Sequence, residues 1–288
     1  MAIILITGAN GQLGNELKTV SKNFYGYDFL FTDVDTLDIS ISENVSAFIQ
    51  ENRPDWIINC AAYNLVDKAE SDQENAMLIN SIAVQNISMA IQGSECKFLH
   101  ISSDYVFDGN ANVPYNENTA PNPLSVYGRS KLAGEKAALN HYGTMLIRTS
   151  WLYSSFGANF VKTILKLAKE RNSLNIVFDQ TGTPTYAADL AESIMQIVSG
   201  VIRNQLAFNT GIFHYSNEGV CTWYDFATAI VREAGLDCKI LPILSEDYPT
   251  AARRPSYSVL NKSKIRENYG LEIPHWQTSL KKCIKLLT

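Results

Sequence analysis

The sequence has little that would support a cysteine framework or a metal cage. Its five cysteines, Cys60, Cys96, Cys221, Cys238 and Cys283, are odd in number and contain no C-x-x-C spacing, which excludes a disulfide scaffold and a zinc knuckle. A reducing cytoplasm is the expected setting. His100, His141, His214 and His275 are equally scattered, so no metal site is expected. There is no excess of positive charge: 24 Lys and Arg against 29 Asp and Glu leave a net charge of -5, which argues against a nucleic-acid partner. No apolar run approaches the ~18 residues of a membrane span, and no charged-then-apolar leader precedes Met1-Ala-Ile-Ile-Leu-Ile. Linkers, repeats and low-complexity tracts are also missing. What remains is a chain of 288 residues, 46% of them hydrophobic, long enough for one large domain or two closely packed ones.

Ala2–Thr7 is a continuous apolar run of the kind that forms a strand buried on both faces of a parallel sheet. Gly8-Ala-Asn-Gly11-Gln-Leu-Gly14 follows it and leads into a helix. Glycines between a strand and a helix let the backbone approach a pyrophosphate, where free N–H groups and the helix dipole favour an anion. The spacing is G-x-x-G-x-x-G, with Asn10 where the usual dinucleotide fingerprint has its second glycine. A second strand over 27–32 ends at Asp33, about 20 residues beyond the turn, where a carboxylate commonly accepts from an adenosine ribose and disfavours a 2′-phosphate. Asp35 and Asp38 compete for that role.

Further alternation follows: a helix over 42–52, a strand over 55–59 followed by the small residues Cys60, Ala61 and Ala62, and a helix from Asp67 to about Ile91. Asp67 is expected as that helix's N-cap, with Glu70 its capping-box partner. A strand over 97–101 runs into Ser102-Ser103-Asp104-Tyr105, which puts hydroxyls and a carboxylate at the same sheet edge as the glycine turn. The expected fold is α/β, a doubly wound parallel sheet with a smaller α/β C-terminal part for substrate. Residues 1–150 are expected to bind the dinucleotide. Residues 151–288 are expected to be mainly substrate-binding, with some segments returning to the first domain.

Ser125-Val-Tyr127-Gly-Arg-Ser-Lys131 opens a helix in mid-chain. Residues four apart share a helix face, so Tyr127 and Lys131 are neighbours, although the same spacing often serves only as surface support. A free phenol ionises near pH ~10, and an ammonium one turn away is expected to lower that value and make the pair an acid/base. Ser103 completes the set.

This constellation resembles the extended short-chain dehydrogenase/reductases and, among them, the dTDP-4-dehydrorhamnose reductase family. The likeness runs through residues 8–14, 59–70, 103–107, 126–135 and 148–151, then Asn159-Phe160, Asp179-Gln180, Gly182 with Pro184-Thr185, and Arg254-Pro255. It implies reduction of a dTDP-linked 4-keto sugar by NADPH or NADH, the last step of dTDP-L-rhamnose synthesis for cell-surface polysaccharide. Tyr127 is then the proton donor, Lys131 holds the nicotinamide ribose, and Ser103 bonds the ketone oxygen. Cofactor contacts fall on Gly8, Asn10, Gly11, Gln12 and Leu13, on Asp33, Asp38 and Ile39, and on Ala61, Ala62 and Tyr63. Substrate contacts fall on Val66, Ser103, Asp104, Tyr105, Trp151 and Asn159, with Arg254 or its neighbour Arg253 on the diphosphate.

Many members of this family are homodimers. Some use magnesium at a dimer contact, and no carboxylate cluster here is assignable to it. A sugar-nucleotide epimerase or 4,6-dehydratase shares the cofactor turn and the Tyr/Lys pair, but a dehydratase also needs acidic residues beside the catalytic hydroxyl, and Tyr105 follows Asp104. A non-catalytic relative, the regulatory subunit of methionine adenosyltransferase, is the reading from another class, opposed by the intact Ser103, Tyr127 and Lys131.

Overall fold

A computed structural model describes residues 1–288. The first half alternates as expected: β1 (Ala2–Thr7), α1 (Gln12–Val20), β2 (Tyr27–Thr32), α2 (Ser42–Asn52), β3 (Trp56–Asn59), α3 (Val66–Ala69), α4 (73–90), β4 (Lys97–Ser103), α5 (Val126–Ala138) and β5 (Thr144–Thr149). The second half contributes α6 (Phe160–Glu170), β6 (Ser173–Val177), α7 (Ala187–Ile202), β7 (Gly211–His214), α8 (Trp223–Glu233), β8 (Lys239–Ile243), α9 (Ser263–Tyr269) and α10 (Trp276–Leu287).

Six strands form one parallel sheet in the order β7-β5-β4-β3-β1-β2. This is the doubly wound α/β fold that the alternation implies. Side chains on a strand alternate between faces, so Ile4 and Ile6 of β1 pack with Leu13 and Leu17 of α1 and with α7 on one side, while Leu5 packs with α2 and α4 on the other. A second core joins α6, α8 and α10 and includes Tyr153, Phe226 and Trp276. Residues 187–214 return from the second half, α7 against α1 and β7 along the edge of β5. The chain order reverses between β1 and β3. That switch point is where such sheets open a crevice for ligands.

One local expectation fails. No single helix runs from Asp67 to Ile91: a four-residue helix ends at Ala69, and the next begins at Gln73. Asp67 caps nothing and Glu70 does not return to it, because both carboxylates have partners far away in sequence. Within α4, residues Leu78–Ile82 form a π turn that directs Asn80 inward. Asn80 accepts from the Tyr63 N–H at 2.9 Å and donates to the Tyr63 carbonyl at 3.1 Å and the Ser130 hydroxyl at 2.9 Å. A π turn at a functional edge is a common placement, and here it ties the segment after β3 to α5.

Candidate active site

The glycine turn is built by close approach. Gly8 has φ +68, and a Cβ on it would lie 2.5 Å from the Ala61 nitrogen. Only glycine permits that backbone there. Gly14 is pressed against the Gly8 carbonyl and Ala9, which seats α1 directly behind the turn. Asp33 holds the turn from the side, its Oδ2 accepting the Asn10 N–H at 2.8 Å and its Oδ1 the Val34 N–H at 2.9 Å. Asn59, fully buried, accepts from the Thr7 hydroxyl at 2.7 Å and the Ala61 N–H at 3.0 Å, fixing the small residues after β3.

A cavity of about 620 Å³ opens at the switch point. Gly8, Asn10, Gly11, Asp33, Asp38, Ile39, Ala61 and Ala62 line it together with Leu78 and Ile79 of the π turn. Its size suits a dinucleotide half, and the start of α1 carries no side-chain cap, leaving its N–H groups for an anion. These residues fit a nicotinamide dinucleotide. Three of the expected contact residues have their side chains engaged elsewhere, Leu13 in the core, Gln12 accepting from Asn159 Nδ2 at 2.9 Å and Tyr63 donating to Asp72 at 2.9 Å, which leaves the N–H groups of Gln12 and Leu13 facing the site.

Beyond β4, the three chemical groups converge. The Ser103 hydroxyl donates to Asp104 Oδ1 at 2.9 Å, accepts the Tyr105 N–H at 3.2 Å and lies near the Tyr127 phenol. Tyr127 is 8% exposed and Lys131 2%. Burial pushes the phenol up to about 12, opposed by the bond with Ser103 and reinforced by the nearby Asp104 charge. The expected lowering by Lys131 is not seen. The ammonium instead donates to the Ile101 carbonyl at 2.7 Å, and burial brings its own pKa down to about 8 against the opposing pull of Glu135 and Cys60. A phenol that high stays protonated at neutral pH, the state a proton donor needs. Burial likewise raises Asp104 to about 6, and its Oδ2 has no partner.

The residues expected to contact substrate are dispersed. Trp151, half-buried and with φ +47, stacks on Trp223 at 3.6 Å between ring centroids. Gly182 leaves the space, since a Cβ there would lie 2.6 Å from the Trp151 ring. Asn159 caps α6 by accepting the Lys162 N–H at 3.1 Å. Tyr105 packs edge-on against Tyr127 at 5.4 Å, with Val66 beside them. Arg254 pairs with Asp67 at 2.8 Å, while Arg253 is exposed. Sequence reasoning did not find Asn59, Asn80, Trp223 or the true partners of Asp67 and Glu70; no local pattern marks contacts made across so much chain.

A Tyr-x-x-x-Lys helix packed on β4, next to the switch point of such a sheet, is the design of the extended short-chain dehydrogenase/reductases. The RmlD substrate binding domain family matches residues 1–288. The dTDP-4-dehydrorhamnose reductase of Aggregatibacter actinomycetemcomitans is 40% identical over 289 residues, covering 98% of each chain. Among solved structures, the reductase of that name from Clostridium acetobutylicum superposes with a TM-score of 0.92 at 41% identity, covering 99% of both chains. Its counterpart from Bacillus anthracis, in complex with NADP, gives 0.91 at 40% identity and the same coverage. The chain belongs to the dTDP-4-dehydrorhamnose reductase family.

Proposed function

We propose that this chain reduces the 4-keto group of dTDP-4-dehydro-L-rhamnose to dTDP-L-rhamnose, with Tyr127 as proton donor. The observation that carries the reading is the placement of Tyr127, Ser103 and Lys131, all buried, at the end of β4 and on the first turns of α5, near the switch-point cavity. NADPH or NADH, when bound there, supplies the hydride.

As the ketone carbon is reduced its oxygen gains negative charge, and donors already in place stabilise that charge more than they stabilise the ketone. Ser103 donates to the oxygen and Tyr127 transfers its proton. Lys131, held by the Ile101 carbonyl, orients the cofactor ribose with its remaining N–H donors. Asp104 receives the Ser103 hydroxyl in the resting state and keeps it oriented. Trp151, seated on Trp223, gives the sugar nucleotide an apolar face, and Arg254 offers its fork of donors to the diphosphate.

The test is oxidation of NADPH and of NADH with dTDP-4-dehydro-L-rhamnose made in situ, with the product identified by NMR. Turnover yielding dTDP-L-rhamnose is expected. Asp33 and Asp38 line the cavity without a Lys or Arg, so NADH is expected to match or exceed NADPH in kcat/KM, a 2′-phosphate meeting like charge there. No turnover with intact cofactor binding overturns the substrate assignment.

A further inference from the structure

The carboxylate that sequence pattern assigned to a helix start on its own segment is bonded to a different one. Glu70 Oε1 accepts the backbone N–H of Val126 at 2.8 Å, across 56 positions of chain. Val126 is the first residue of α5 and Tyr127 the second. The N–H groups of a first helical turn have no partner within the helix, and two of those in α5 are satisfied by side chains. Ser125 takes the Gly128 N–H at 3.1 Å, a local bond that shapes the turn internally. Glu70 takes the Val126 N–H and ties the turn to another part of the molecule.

The seat it creates is narrow. Gly128 lies directly on the Tyr105 carbonyl and against Pro123, so the turn cannot shift toward the segment that follows β4. The same short segment fixes the substrate side: Asp67 accepts the Ala252 N–H at 3.1 Å and pairs with Arg254 at 2.8 Å. Residues 66–70 thus act as a bracket, one carboxylate on the catalytic turn and one on the Arg-Pro segment. Glu70 is not among the groups that shift the phenol's ionisation, which are burial, Ser103 and Asp104. Its influence on Tyr127 is therefore one of placement.

We propose that Glu70 is a positioning residue for Tyr127, seating the first turn of α5 so that the phenol meets Ser103 and the substrate ketone. This rests on the reading of Tyr127 as proton donor. A displacement of about 1 Å at a reacting group costs on the order of 10²-fold in rate, so loss of the seat is a kinetic lesion.

The experiment measures kcat and KM on the full chain for Glu70→Ala, Glu70→Asp, Glu70→Gln, Tyr127→Phe and the double variant Glu70→Ala with Tyr127→Phe. Glu70→Ala is expected to lower kcat by about 10- to 100-fold, with KM for sugar nucleotide and cofactor within about threefold. Glu70→Asp keeps the charge but falls short of the Val126 N–H, and is expected to fall with Ala. Glu70→Gln keeps an acceptor oxygen and is expected to restore most of the turnover. In the Tyr127→Phe background, Glu70→Ala is expected to cost nothing further, because both act on one step. Equal losses in the two backgrounds, wild-type kcat in Glu70→Ala, or Gln as poor as Ala overturns the proposal. Full turnover by Tyr127→Phe overturns the reading of Tyr127 itself, a separate result.

Discussion

The two ends of α5 are held by different physics. At the inner end Glu135 receives Arg148 through two bonds, Nε at 2.8 Å and Nη2 at 2.6 Å, and the Ser102 hydroxyl at 2.6 Å. Both charged side chains are almost fully buried, at 2% and 1% exposure. At the outer end, where Tyr127 sits, the fastening is the half-buried Glu70 and the local cap Ser125. A buried ion pair gives geometric uniqueness, and removing one partner leaves an uncompensated charge. A half-exposed carboxylate on a helix start contributes little to stability yet fixes direction. On the proposed function, the helix is anchored for folding at one end and aimed for chemistry at the other, with Lys131 between them.

The largest expected effect lies at the inner end. Glu135→Ala strands the Arg148 guanidinium, whose Nη1 already lacks a partner, and is expected to destabilise the protein by about 3–5 kcal/mol in denaturant titration. A loss below about 1 kcal/mol is what a surface pair gives and would remove the contrast between the ends. At the outer end, Tyr127→Phe is expected to lower kcat by on the order of 10²-fold or more, about 2.7 kcal/mol of barrier, with the melting temperature nearly unchanged. Turnover close to wild type would leave the outer end with no chemical task.

Lys131, midway, supplies the next prediction. Burial lowers its pKa to about 8, so the ammonium is charged below that pH and neutral above it. His100 and Cys60 face the same ammonium, and burial makes each costly to ionise, so Lys131 is the group among them that titrates near neutrality. The logarithm of kcat/KM is expected to fall by about one per pH unit above about 8, and Lys131→Arg is expected to lose that limb, since a guanidinium does not deprotonate. A profile flat through the alkaline range would show that turnover does not need the charge.

This contrast also explains what the sequence could convey. The elements legible in the sequence are those with local signals: strand runs of fixed period, a glycine turn at a strand end, Tyr127 and Lys131 one helical turn apart. Even Gly14 and Gly8 lie in one short motif. The Asp67–Glu70 pattern misled for a physical reason. A carboxylate three residues after an acid matches a capping box by type and spacing, but α3 stops at Ala69 and each acid found a stronger long-range partner. Lys131 departs from its pattern in another way: it shares a helix face with Tyr127, yet one of its three donors goes to the Ile101 carbonyl and burial, not the ammonium, dominates the phenol. Trp151 and Trp223 stand 72 positions apart in the numbering, a separation that no periodicity spans.

The smallest expected effect separates the two fastenings of the outer end from each other. Ser125→Ala removes the local cap from the Gly128 N–H and is expected to cost about 1 kcal/mol of stability, the usual loss of an N-cap hydroxyl. Its kcat is expected to stay within about twofold of wild type, because Glu70 still seats Val126 and Gly128 still rests on Tyr105. Chemical denaturation and steady-state kinetics on the same samples make the comparison. If kcat instead falls while stability holds, the local cap aims the phenol, and the division of labour at this end runs opposite to the one drawn from Glu70.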